Sequence, residues 1–294
     1  MKTTIIDGQK ISQEIKLEVA NETKSFQDSY LVTPSLAVIL VGDNPASSIY
    51  VKNKEKAAIA SGMAGQTINL PSTVSEKDLL QIIENLNLSK EIHGILVQLP
   101  LPIHISEEKI VQKIDPIKDV DGLHPFNSGL LSAGTPRFIP ATPAGIRELL
   151  LRNDSNPDGK HVAILGRSNI VGRPLANLLS MKSIGGNATV SLCHSRTTNL
   201  KKITTNADIV IAAIGIPNFV TEDMVKENVV VIDVGINRVK SSMTKRGYRL
   251  VGDVEFESVK LKSKAITPVP GGVGPMTIAM LLRNTLQAAK LQCG

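Results

Sequence analysis

Two hydrophobic patterns alternate along the chain. Continuous apolar runs, typical of strands buried on both faces, are followed by stretches whose apolar residues recur at helical spacing. The first run is "LAVILV" (36–41). Behind it, "ASSIYVKNKEKAAIASG" is helical in period and closed by Gly62. A short "QTINL" precedes "SEKDLLQIIENLNL". There Ser75 and Asp78 resemble a capping box, and Leu79, Ile82, Ile83 and Leu86 share one face. "HGILVQL" (93–99) reads as a third strand. The order β-α-β-α-β predicts a parallel sheet with right-handed crossovers.

A Pro- and Gly-rich passage over 115–145 has little periodicity and reads as an interdomain region. The helical "TPAGIRELLLRN" follows it, and a second alternation then begins. Its members are "HVAIL" (161–165), "RPLANLLSM", "ATVSLC" (188–193), "ADIVIAAIG" (207–215) and "VVVIDVGIN" (229–237). They predict a second doubly wound unit. The last segment, "TPVPGGVGPMTIAMLLRNTLQAA", is a glycine loop leading into a long apolar helix, with Pro275 suited to its first turn. Such a helix needs a partner and is expected to pack on the first domain.

Composition narrows the class. With 42% hydrophobic and 20% charged residues in 294, the chain suits a globular protein with a real core. No apolar run nears the roughly 18 residues that span a membrane. "MKTTIIDGQKISQEIK" has no signal-peptide pattern, so a cytoplasmic setting is expected. Cys193 and Cys293 fit neither a metal spacing nor a disulfide framework. The net charge of +6 favours anions, but aromatics at 3% are too few for a single-strand stacking platform. A phosphorylated cofactor or an acidic small substrate accounts for the charge as well.

The chemistry of the second domain starts at "LGRSNIVGRP" (165–174). Strand, glycine turn and helix place backbone N–H groups where a diphosphate is stabilised. Gly166 and Gly172 keep two of the glycines of a dinucleotide fingerprint, while Arg167 and Ser168 fill the turn between them. An NAD site would carry an acid at the end of the next strand; here that strand ends in "CHSRT". Ser195 and Arg196, together with Arg167, point to the 2′-phosphate of NADP, since a guanidinium matches a phosphate bidentately. Gly215 and Gly235 stand at two further strand ends, as close-approach residues beside a cofactor or as ordinary turn glycines, and Ile236 would face its ring.

In the first domain, "IYVKNK" puts Tyr50 and Lys54 on one helix face, able to stack on a flat substrate and move a proton. Y-x-x-x-K also occurs in short-chain dehydrogenases, but there the glycine turn comes before it on the same sheet. Gln98 ends a buried strand, placed for substrate or for pairing with Lys54. "DVDGLHP" supplies Asp119, Asp121 and His124. It begins like a calcium loop, but Leu130 stands where the twelfth-position Glu belongs, so no metal is expected. A turn acid, or a carboxylate that binds a nitrogen heterocycle, remains.

Together "NPASSIYVKNKEKA", "GILVQLPLP", "KDVDGLHP", "GRSNIVGRP" and "TPVPGGVGPMT" resemble the bifunctional methylenetetrahydrofolate dehydrogenase/methenyltetrahydrofolate cyclohydrolase family, from "IIDGQ" to the last helix. The resemblance implies an α/β homodimer of two-domain subunits: a three-layer catalytic domain (1–143), a Rossmann-like NADP-binding domain (144–270), and a C-terminal helix (271–294) returning to the first. The active site would lie in the cleft between the domains. Tyr50 matches the tyrosine that stacks on the aminobenzoyl group, Lys54 the essential lysine, Gln98 the glutamine that holds it, and Asp121 the carboxylate that binds the pterin. Leu99 is expected beside the substrate, and Pro270, Gly271, Gly272 and Gly274 match a loop near substrate and nicotinamide. Arg167, Ser168 and Ser195 match cofactor contacts, with Ile236 beside them. The segments "SMKSIGGNA" and "RVKSSMTKRGYRLVGDV", the latter an edge hairpin, depart from the family pattern away from these residues.

Three rivals stand against the bifunctional reading. A monofunctional dehydrogenase would not need Lys54. A non-catalytic NADP-binding regulator would tolerate change at Tyr50, Lys54 and Gln98. A nucleic-acid binder would show steep salt dependence.

Overall fold

The computed structural model describes residues 3–242, 244 and 247–294, with the backbone alone at Ala46. In chain order the elements begin with β1 (Thr4–Ile5), α1 (Gly8–Tyr30), β2 (Ser35–Val41), α2 (Pro45–Ala60), β3 (Ala64–Leu70), α3 (Glu76–Leu88) and β4 (Gly94–Val97). Three helices follow: α4 (Glu107–Lys113), α5 (Pro125–Ser132) and α6 (Ala141–Leu151). Next come β5 (His161–Leu165), α7 (Gly172–Ser180), β6 (Thr189–Cys193), α8 (Leu200–Asn206), β7 (Ile209–Ala212) and β8 (Val229–Asp233). The hairpin β9 (Asn237–Lys240) and β10 (Tyr248–Val251), then α9 (Phe256–Lys262), β11 (Ser263–Ile266) and α10 (Val273–Cys293) come last. Among the described residues no helix is long and apolar enough to cross a membrane.

The chain separates into two compact units, Met1–Ser12 with Thr142–Thr277, and Gln13–Ala141 with Ile278–Gly294. The second carries a parallel three-stranded sheet ordered β3-β2-β4. Every residue of β2 and β4 is buried, as their continuous apolar runs require of strands covered on both faces. On one face Ala37, Ile39 and Val97 meet Leu79, Ile83 and Leu86 of α3 and Ile110 of α4. On the other, Leu36, Val38 and Leu96 meet Val51 of α2, Val120, Phe138, and Leu281 and Ala288 of α10. This is a three-layer arrangement of helix, sheet and helix.

The Ser75 cap forms as its spacing predicts: Ser75 Oγ accepts from the Asp78 N–H at 3.1 Å and donates to the Asp78 carboxylate at 2.7 Å. Ser75→Ala is therefore expected to cost about 1 kcal/mol. That should lower the melting temperature by roughly 1.5–2 °C in a protein of this size. An unchanged calorimetric melt would show that α3 holds its end without the cap.

The first unit holds a parallel six-stranded sheet ordered β1-β11-β8-β7-β5-β6. Counted from β5, the order is 2-1-3-4-5 with β1 added at the far edge. The chain goes from β5 to β6 on one side and then crosses to β7 on the other. Ligands of open α/β sheets bind at such a switch point, beyond the carboxyl ends of the strands. The three-stranded sheet repeats the device, with its switch between β2 and β4.

Three expectations change. The passage 115–145 does contain the crossing between the units, at 141/142, but it is not an irregular linker: it holds α5 and the start of α6, and Val120, Leu131 and Phe138 are buried. Its few apolar residues are spaced by turns, so no period betrays them. The first twelve residues, expected with the N-terminal domain, join the six-stranded unit because Thr4 and Ile5 pair with Ala265 and Ile266. The last helix begins at Val273, and the units divide at 277/278 rather than 270/271. The edge hairpin over 238–254 is present as β9 and β10, although its Met243, Lys245 and Arg246 lie outside the described residues.

Candidate active site

In the three-stranded unit the switch point collects the residues with chemistry. Gln98 follows the last residue of β4, and α2, which follows β2, carries Tyr50 and Lys54 one turn apart. Lys54 is buried, and its Nζ donates to Gln98 Oε1 at 2.9 Å. The Gln98 amide is fixed in turn, because its Nε2 donates to the Leu99 carbonyl at 2.8 Å. The Lys54 Nζ also stands 4.6 Å from the centre of the Tyr50 ring, a cation–π contact. Burial pushes the Lys54 ammonium below the usual lysine value, and the charge of Asp121 opposes this without reversing it. Asp121 is pushed up by burial, pulled down by Lys54, and pushed up again by Asp119.

The two acids of "DVDG" separate in role. Asp119 is buried and accepts from the His124 N–H at 2.8 Å, Asn127 Nδ2 at 2.8 Å and the Leu123 N–H at 3.3 Å. It is the turn acid. Asp121 is only partly buried and acts on Lys54 through its charge. Among the described residues no group of three or more His, Cys, Asp or Glu is placed to hold a metal.

In the six-stranded unit, Leu165 pairs with both Cys193 and Ala212, so the loops leaving β5, β6 and β7 start side by side. Gly166 sits at φ +117°, where a Cβ would lie 2.1 Å from the Ala213 carbonyl oxygen. At Gly172 a Cβ would lie 2.0 Å from the carbonyl oxygen of Gly166. Backbone approach alone thus demands both glycines. Arg167 and Ser168 stand between them. Both are exposed, as are Ser195 and Arg196 on the neighbouring loop. No side chain caps the start of α7 at Val171, and Ser168 Oγ accepts the Val171 N–H at 3.1 Å.

A third group lies along the same sheet edge. Exposed Ile236 follows β8, and its Cδ1 comes 3.6 Å from where a Cβ on Gly274 would stand. The loop Pro270–Gly274 rests on the first turn of α1: the Gly271 carbonyl accepts the Gln9 N–H at 3.1 Å, and a Cβ on Gly8 would strike the Gly272 oxygen at 1.8 Å. Gly215 takes a positive φ of 70°. Its N–H and that of Ile214 both donate to the Asp253 carboxylate.

Sequence reading passed over Asp233 and Asp253. A signal was present: each acid adjoins an otherwise apolar strand, in "VVVID" and "LVGDV". An acid beside a buried run needs donors, and donors at a strand end are loop N–H groups.

A glycine turn with no acid on the next strand defines one unit as a dinucleotide-binding sheet. A buried amine beside an amide at a second switch point makes the whole a dinucleotide-dependent enzyme of two α/β units. Comparison with known proteins agrees: residues 6–121 match the family described as tetrahydrofolate dehydrogenase/cyclohydrolase, catalytic domain, and residues 140–293 match its NAD(P)-binding domain. The chain belongs to the tetrahydrofolate dehydrogenase/cyclohydrolase family, and its activity is that of the bifunctional FolD enzymes of one-carbon folate metabolism. It is 53% identical to the bifunctional protein FolD of Salinibacter ruber, over 98% of this chain and 96% of that one. A crystal structure of FolD methylenetetrahydrofolate dehydrogenase/cyclohydrolase from Campylobacter jejuni superposes with a TM-score of 0.91 at 48% identity, covering 98% and 99% of the two chains. The Trypanosoma brucei dehydrogenase-cyclohydrolase, crystallised with NADP cofactor and inhibitor, gives 0.93 at 38% identity, covering 99% and 98%.

Proposed function

We propose that the chain oxidises 5,10-methylenetetrahydrofolate with NADP and then hydrolyses the methenyl product to 10-formyltetrahydrofolate, with Lys54 handling the proton of the second step. The observation that carries this reading is the buried Lys54 amine held 2.9 Å from Gln98.

The residues present fit a 2′-phosphorylated dinucleotide. The α7 N-terminus has no side-chain cap, no acid stands at His194–Thr197, and Arg167, Ser168, Ser195 and Arg196 are exposed on neighbouring loops. Gly166 and Gly172 let the backbone approach the phosphates, while Gly215 and Ile236 flank the nicotinamide half. When bound, NADP supplies the nicotinamide that accepts the hydride. Loss of that hydride leaves a cation shared by two folate nitrogens, so no strong base is needed. The protein's task is alignment, with reacting atoms at about 3–3.5 Å. Tyr50 stacks on the aminobenzoyl ring, Leu99 packs beside the substrate, Asp121 binds the pterin, and Pro270, Gly271, Gly272 and Gly274 line its reacting end.

Hydrolysis adds water to the methenyl carbon, releases one proton, and breaks one carbon–nitrogen bond to leave the formyl group. Only a neutral amine takes that proton. Burial favours neutral Lys54, and Gln98 Oε1, by accepting an N–H, turns the amine's lone pair away from itself. A dehydrogenase without hydrolysis would have no use for this arrangement. We take the enzyme to be a homodimer, as the family resemblance implies; light scattering on the purified protein checks the dimer.

Asp121→Ala is expected to raise the KM for the folate about 10- to 100-fold, because a hydrogen bond to a charged group contributes about 1.5–3 kcal/mol. An unchanged KM would remove Asp121 from the pterin site.

A further inference from the structure

The segment Gly252–Val254, between β10 and α9, has no part in the chemistry above, yet it lies across the ends of the central strands. Asp253 is fully buried. Its Oδ2 accepts the Ile214 N–H at 2.7 Å and the Gly215 N–H at 2.9 Å, and its Oδ1 accepts Asn237 Nδ2 at 2.9 Å. One carboxylate therefore holds both the loop after β7 and the residue next to Ile236.

Asp233, at the end of β8, backs it. Its Oδ1 accepts the N–H groups of Gly235 at 3.0 Å and Asp253 at 2.9 Å, and its Oδ2 accepts that of Val254 at 3.0 Å. The Asp233 N–H donates to Thr267 Oγ1 at 2.7 Å, at the root of the Pro270–Gly274 loop. The packing admits no side chain between these parts: a Cβ on Gly235 would fall 2.2 Å from Asp253 Oδ1, and one on Gly252 1.8 Å from Asp233 Oδ2. Each acid faces three donors, an environment that an acceptor-only group satisfies and an amide does not. Burial pushes Asp233 up to about 6, and the Asp253 charge adds to this. A stable fold could avoid such buried charge with an apolar closure.

We infer that Asp253, backed by Asp233, is a positioning residue for NADP: it fixes Gly215 and Ile236 at the sheet edge so that the nicotinamide half of the cofactor meets a preset surface. The inference rests on the reading of Gly215 and Ile236 as cofactor contacts. It makes no demand on Lys54, so the two activities of one protein separate the outcomes.

The test compares Asp253→Asn, Asn237→Ala and Ile236→Ala with wild type, reading NADP dissociation by calorimetry, KM and kcat for the dehydrogenase, and turnover of methenyltetrahydrofolate without cofactor. Asp253→Asn keeps the volume but sets an amide NH2 against N–H donors. It is expected to raise both the NADP dissociation constant and KM at least tenfold, with kcat at saturating NADP within threefold and cyclohydrolase turnover within twofold of wild type. Asn237→Ala, which removes one donor from a partly exposed position, should raise KM about threefold and decides the matter if Asp253→Asn fails to fold. Wild-type NADP affinity in both variants overturns the inference, as does a parallel fall of both activities. Raised KM in Ile236→Ala with unchanged Asp253→Asn removes the positioning role and leaves the contact reading intact. The reverse pattern removes Ile236 as a contact and leaves Asp253 acting through Gly215.

Discussion

Lys54→Met should lower cyclohydrolase turnover by about 10²–10⁴-fold, the range that a positioned proton-transfer group contributes. The dehydrogenase should lose far less, because hydride transfer needs no base. The substitution keeps a long unbranched side chain and removes a buried amine. Burial holds the folded-state pKa of Lys54 below its unfolded value. The charged form therefore opposes folding, and whatever stability Lys54 contributes at high pH is lost as pH falls through the folded pKa. At neutral pH the variant should thus fold and melt close to wild type. The wild-type hydrolysis rate should rise with pH over a window below 10.5, the ordinary lysine value, and Lys54→Met should lack that limb. Turnover near wild type in the variant would exclude Lys54 from the chemistry. Methenyltetrahydrofolate decay, followed by absorbance across pH, reads all of this.

Replacing Arg167 and Arg196 together by alanine is the second large effect. Each guanidinium bonded to the 2′-phosphate contributes about 1.5–3 kcal/mol. Loss of both should raise the KM for NADP by at least about 100-fold, at roughly tenfold per 1.4 kcal/mol. NAD lacks the phosphate and should be nearly unaffected, so the preference for NADP collapses. An equal loss with both cofactors would return the two arginines to the solvent. The glycine turn itself should survive, because Gly166 and Gly172 rather than Arg167 set its backbone.

Much of this was legible in the sequence, for a physical reason. Strands such as Leu36–Val41 and His161–Leu165 are buried on both faces, and burial forces an apolar run that cannot be mistaken for a surface. The Ser75 cap, and Tyr50 and Lys54 on one helix face, are local, and local spacing is what a sequence displays. Pairings made over long separations were not legible. Thr4 and Ile5 carry no period, and only their partners Ala265 and Ile266 make them a strand. The passage 115–145 belongs to a core through scattered residues such as Val120 and Phe138. Lys118 donates to the carbonyls of Leu86, Asn87 and Ser89, a helix-end lock that nothing near Lys118 announces. In the candidate site the exception is Gln98, which the sequence places for substrate or for pairing with Lys54, and whose hydrogen bond to Lys54 joins residues 44 apart. Asp233 and Asp253 escaped notice because their donors are backbone groups, which leave no trace in residue type.

The strand β1 carries a consequence for how the protein is made. Among the described residues its only neighbour in the sheet is β11, so the six-stranded sheet cannot close its edge until residues 263–266 have left the ribosome. The other unit waits as well, since Leu281 and Ala288 complete one of its cores. Neither half is finished during synthesis of the other. A nascent chain arrested before residue 263 holds two open cores, and β8 without β11 presents a bare edge to other chains. Vectorial folding, domain by domain, is closed to this protein, and a cut at the 141/142 boundary would free no self-sufficient piece.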